Sequence, residues 1–127
     1  MASVAEALSE LGITEWVLRG EPTTEAEFAE MFRKVTGADA NGTAIESSDP
    51  ADFGTDWATV SAKVAELTAA EPLKALRAER NRLIAETDWW ALSDMTMTAE
   101  QTAYRQALRD ITDSYSSLDD VVWPTKP

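Results

Sequence analysis

Three times in 127 residues a hydroxyl side chain is followed three positions later by Glu or Gln, and then by an amphipathic run. The pairs are Ser3 with Glu6, Thr24 with Glu27, and Thr98 with Gln101. At that spacing the hydroxyl accepts from an early backbone N–H while the acid or amide reaches back to the N–H of the capping residue. Each pair therefore marks a helix start, and the apolar residues behind it recur every three or four positions. A chain punctuated in this way is committed to short helices that share a core.

The first helix is predicted over Val4 to Leu11, with Val4, Ala7, Leu8 and Leu11 on one face and Gly12 as its stop. Ile13 to Leu18 is rich in β-branched and aromatic residues and reads as a short strand, with no evident partner nearby. A second helix is expected over Glu25 to Val35, carrying Phe28, Met31, Phe32 and Val35. Residues 38–56 are dense in Gly, Ser, Asp, Asn and Pro and read as a long loop, pinned to the core by Phe53. A third helix follows over Trp57 to Ala69. Pro72 lacks an N–H and clashes with the preceding turn, so a fourth helix is expected to restart there and run to Thr87 or Trp90. The last helix spans Ala99 to Asp113, with Tyr104, Leu108, Ile111 and Tyr115 as its stripe. The short link between the last two helices predicts an antiparallel hairpin in which Leu83 or Ile84 meets Leu108 or Ile111. The expected fold is mainly α: a small helical domain with a C-terminal antiparallel helical hairpin, a short strand near 13–18 and an extended C-terminal tail. Its two parts are an acidic N-terminal lobe, 1–71, and a C-terminal lobe, 72–127.

Cysteine and histidine are both absent. Disulfides, His- or Cys-based zinc sites and His-dependent triads are excluded with them. No calcium-loop spacing, P-loop or dinucleotide fingerprint occurs. Asp39, Glu46, Asp49 and Asp52 read as solvated loop residues. The expectation is a non-enzymatic protein with no cofactor and no metal. Net charge is -12, which repels duplex DNA and anionic lipid, so neither nucleic acid nor membrane is an expected partner. No apolar run reaches the roughly 20 residues of a membrane helix. The first residues carry Glu6 and Glu10 without Lys or Arg, so no secretory signal is read and the cytoplasm is the expected compartment. Residues 1–70 hold 4 basic and 13 acidic groups, and residues 71–127 hold 7 and 10. The acidity is therefore concentrated in the first half.

Lys74, Arg77, Arg80 and Arg82 cluster on the fourth helix. They are open to two readings: a salt-bridged surface using Glu79 and Glu86, or Arg77 and Arg80 reaching acidic groups of the last helix or of a partner. Five tryptophans can fill a small core or anchor an interface. Adjacent Trp89 and Trp90 cannot both point the same way, which predicts one in the core and one exposed.

The run Arg77-Ala78-Glu79-Arg80-Asn81-Arg82-Leu83-Ile84-Ala85-Glu86-Thr87-Asp88-Trp89, then Tyr104-Arg105-Gln106-Ala107-Leu108-Arg109-Asp110-Ile111, then the ending Val122-Trp123-Pro124-Thr125-Lys126-Pro127 resemble, in that order, the phage tail assembly chaperone family. Residues 1–71 resemble the front part of marine cyanophage tail-associated proteins. The resemblance implies help in assembly rather than catalysis, in the host bacterial cytoplasm, with a tail or tail-fibre protein as partner. The residues expected to bind that partner are Arg77, Arg80, Trp89, Trp90, Tyr104, Arg105 and Trp123. Two other functions compatible with the composition are a structural adaptor or cap retained in the virion tail, and an acidic inhibitor of a host DNA-binding protein.

Overall fold

The computed structural model describes all 127 residues. They form two compact units, Met1–Ala69 and Ala70–Pro127.

The first unit begins with α1 (Val4–Glu10), which carries the complete reciprocal cap between Ser3 and Glu6. It continues through β1 (Trp16–Leu18), α2 (Glu25–Met31), β2 (Phe32–Ala38) and β3 (Ala44–Ser47) into the start of α3 (Trp57–Ala85). Only half of the expected cap forms at α2. Thr24 accepts from the Glu27 N–H, but the Glu27 carboxylate is taken by the hydroxyls of Thr23 and Thr24. The strand read near 13–18 does have a partner, β2, in an antiparallel sheet of order β1-β2-β3, with Val17 opposite Arg33 and, between β2 and β3, Val35 opposite Glu46.

The second helix is shorter than its apolar stripe suggested. It stops at Met31, and Phe32 turns extended at φ -89, ψ 136. Phe32 is fully buried in this extended conformation, the core position that the helical period also assigned to it. Pairing with both β1 and β3 then favours the strand. The long loop likewise contains β3 and a 3-10 turn at Pro50–Asp52. Its hairpin is closed by Asp39, whose carboxylate accepts from the N–H groups of Asn41 (2.8 Å) and Thr43 (3.0 Å). Gly42, at φ 80, occupies a conformation that side chains disfavour.

The core of this unit gathers Val4, Ala7 and Leu8 of α1 against Phe28, Phe32, Phe53 and Val60. Ring centroids of Phe28 and Phe32 lie 4.8 Å apart, and Phe53 meets Phe32 edge-on at 4.7 Å. Phe53 thus holds the 38–56 segment onto the core.

The third and fourth predicted helices are one helix. α3 passes through Pro72 without a break. The missing N–H leaves the Thr68 carbonyl without its usual donor, a cost of about 3 kcal/mol in a helix interior. Good helix formers, Ala69, Ala70 and Glu71 before it and Leu73 to Leu76 after it, together with packing of the flanking turns, outweigh that cost.

In the second unit α3 ends at Ala85 and is followed by a 3-10 turn, Asp88–Ala91. Next come α4 (Ala99–Arg109), which carries the complete Thr98–Gln101 cap, and the short α5 (Ile111–Ser114). The last predicted helix is therefore split at Asp110 (φ -88, ψ 1). Residues 121–127 form neither helix nor strand. The small core joins Trp90, Tyr104 and Leu108, with Leu83, Ile84, Met97 and Trp123 packed around them.

Candidate functional site: the turn after α3

Every helix leaves its last carbonyls without intrahelical donors. At the C-terminal end of α3 the Arg82 carbonyl accepts from the Glu86 N–H, and the Ile84 carbonyl from Thr87 and from one buried side chain of α4. Arg105, only 6% exposed, donates from one terminal nitrogen to the Ile84 carbonyl (3.2 Å) and to the Thr87 hydroxyl (2.8 Å). Its other terminal nitrogen reaches Asp88 Oδ1 at 3.1 Å. Thr87, fully buried, donates both its backbone N–H and its hydroxyl to the Ile84 carbonyl at 3.0 Å. A guanidinium at a helix C-terminus also opposes the negative end of the helix dipole. The Asp88 side chain is largely in water, so only one member of this ion pair bears a heavy desolvation cost. Arg105 Nε is buried with no hydrogen-bond partner, an unsatisfied donor worth about 1–3 kcal/mol.

The turn held by Arg105 sorts the two adjacent tryptophans. The Trp90 N–H donates to the Thr87 carbonyl (3.0 Å), and its ring enters the core against Tyr104, with centroids 6.1 Å apart. Trp89 is left 54% exposed. Lys126 sits 6.0 Å from the Trp90 ring centroid and 3.6 Å from Glu86, tying the chain end to this region. Burial pushes the Tyr104 hydroxyl above its ordinary pKa, and the nearby Glu86 carboxylate adds to the effect.

The basic cluster divides. Arg82 grips Glu79 through two bonds (2.7 and 3.0 Å) and reaches Glu86 at 2.7 Å. The hydrogen bond from Arg82, followed by its charge, holds the Glu79 carboxyl below the usual range. Arg80 donates to Asn81, while Arg77 is exposed and makes no ion pair. Neither reaches α4. Of the residues expected at a binding surface, Trp90, Tyr104 and Trp123 meet in the small core and Arg105 lies buried at its edge. Arg77 and Trp89 lie exposed at the surface.

Sequence reasoning missed two exposed apolar residues beside Trp89. They are Leu92 (56%) and Met95 (44%). The spacing of three from Trp89 to Leu92 to Met95 was the available signal. It also missed that Arg105 lies three residues before Leu108, on the buried side of α4.

In the first unit a cleft of about 140 Å³ is lined mainly by Val4, Pro22, Trp57 and Val64. Its carboxylate, Glu21, is engaged by the Val4 N–H at 2.8 Å. No group of three or more carboxylates is gathered closely enough to hold a metal ion. No helix is long and apolar enough to cross a membrane.

Residues 73–127 match the phage tail assembly chaperone protein family. The matched segment coincides with the second compact unit, 70–127. The match covers less than half of the chain and none of the first unit. Arg105, Thr87, Trp90 and Leu108 are the internal frame of the matched segment, and Trp89, Leu92 and Met95 lie on its surface. No curated protein and no solved structure matches the chain.

Proposed function

We propose that the chain is a non-enzymatic chaperone that binds a phage tail or tail-fibre protein during morphogenesis and covers its unassembled surfaces in the host cytoplasm. The observation that carries this reading is the coincidence of the family segment, 73–127, with a compact unit possessing its own core. Immature tail proteins expose apolar surface and strand edges that aggregate until subunits pair. A binder with an exposed aromatic residue on a fixed turn is suited to cover such a surface transiently. The end of α3 and α4 are read as an antiparallel hairpin that presents this turn. Partner contact is assigned to Trp89 and Arg77 on the surface. Trp90, Tyr104, Arg105 and Trp123 support it from within.

The test is co-expression of the unaltered chain with the tail and tail-fibre proteins of the same phage, one at a time. The expected result is a higher soluble yield of one of them and its co-purification with the chain. Equal insolubility of every tail protein with and without the chain would refute the reading.

A further inference from the structure

The exposed apolar residues of the second unit are not scattered. The Leu92 N–H donates to the Trp89 carbonyl (3.4 Å), and the Met95 N–H donates to the Leu92 carbonyl (2.9 Å). Two successive three-residue turns therefore carry Trp89, Leu92 and Met95 in close succession along the connector between α3 and α4. All three are among the exposed large hydrophobic residues of the chain. The turn beneath them is held by buried Arg105, so the group is displayed from a fixed base.

The unpaired charge along this connector is acidic, Glu86 being paired with Arg82 and Lys126 and Asp88 with Arg105. Between Arg82 and Arg105 the sequence contains Glu86, Asp88, Asp94 and Glu100 and no Lys or Arg. The one cation that reaches in from α4, Arg105, is buried beneath the turn. Asp94 and Glu100 are exposed and make no ion pair. An apolar ridge with a carboxylate rim attracts the inverse pattern and repels its own kind.

We propose that the Trp89–Leu92–Met95 ridge is a docking surface for a partner segment that presents apolar side chains flanked by Lys or Arg. This deepens the assembly reading above and rests on it for the identity of the partner. The surface itself is tested without any tail protein. Self-association through the ridge is disfavoured, because two copies would bring their carboxylate rims together.

The probes are three synthetic peptides of equal length: one of Leu and Lys, one with the same Leu positions and Glu in place of Lys, and one with the same Lys positions and Ser in place of Leu. Binding to the full chain is read by calorimetry at physiological salt. The Leu/Lys peptide is expected to bind, and the other two more weakly by about tenfold or beyond. Trp89→Ser and the double variant Leu92→Ser with Met95→Ser should each weaken the Leu/Lys peptide by about tenfold. Asp94→Lys should weaken it as well. Glu25→Lys with Glu30→Lys, exposed on α2 of the first unit, removes twice as much charge as Asp94→Lys and should still leave binding within about twofold. Circular dichroism of each variant should match the parent, since all substituted side chains are at the surface.

Equal binding of the Leu/Lys and Ser/Lys peptides would reduce the effect to net charge and overturn the proposal. So would full retention of binding in the ridge variants, or a dimer in sedimentation that Trp89→Ser dissolves. The outcomes separate from those of the assembly reading. Peptide binding without any solubilised tail protein would uphold the surface and refute the function, and the converse would do the opposite.

Discussion

Trp89 and Trp90 are consecutive, yet they serve opposite sides of one turn: Trp90 is 4% exposed and Trp89 54%, with their rings edge-on at 6.1 Å. The turn that divides them is fixed by Arg105 and Thr87, and both the stability of the second unit and its display of an apolar ridge follow from it.

The two tryptophans should therefore separate cleanly on substitution. Trp90→Ala removes a core ring and should cost about 3–5 kcal/mol, enough to unfold much of the second unit. Trp89→Ala should stay within about 0.5 kcal/mol of the parent. Urea unfolding followed by circular dichroism checks both. Equal losses would show that Trp89 is also part of the core.

Arg105→Met keeps most of the stem volume and deletes three hydrogen bonds. The expected loss is about 1–3 kcal/mol. It is smaller than for a fully buried ion pair because Asp88 remains in water. Arg105→Lys should recover less than half of it, since a point ammonium cannot span Ile84, Thr87 and Asp88 together. A variant as stable as the parent would remove Arg105 from the account of the turn.

Pro72→Ala tests the continuity of α3. In a helix interior alanine is favoured over proline by about 3 kcal/mol, offset by about 1 kcal/mol of freedom returned to the unfolded chain. The melting temperature should rise. A fall would mean that Pro72 starts a new helix, as the sequence first suggested.

Stability should decline at both ends of the pH scale, for different reasons. The Glu79 and Glu46 carboxyls are lowered chiefly by hydrogen bonds from Arg82 and Arg19. Their contribution is present above the ordinary glutamate value, near about 4.3, and is lost as pH falls through the depressed value. Tyr104 is raised, mainly by burial. Its contribution is present below the ordinary tyrosine value of about 10 and is lost as pH rises beyond it. Glu79→Gln should flatten the acid limb of a melting-temperature profile, and Tyr104→Phe the alkaline limb.

The helix starts were legible because capping is local: Ser3 with Glu6 and Thr98 with Gln101 are read within four residues and form as read. The sheet was not legible. β2 continues the apolar period of α2 through Phe32 and Val35, and only its pairing with residues 16–18 and 44–47 makes it a strand. β3 is four residues inside a polar stretch, too short to show alternation. Pro72 gave a true local penalty that packing overrode. At the site, the split of Trp89 from Trp90 followed from their adjacency. The burial of Arg105 did not, because its partners are the Ile84 carbonyl and the Thr87 hydroxyl, far from it in sequence.

The most direct test of the account is hydrogen exchange on the full chain, alone and in complex with the tail protein that co-purifies with it. Slowed exchange across residues 88–95, with little change across residues 1–69, is the predicted result. Protection confined to residues 1–69 would contradict the assignment of partner binding to the turn after α3.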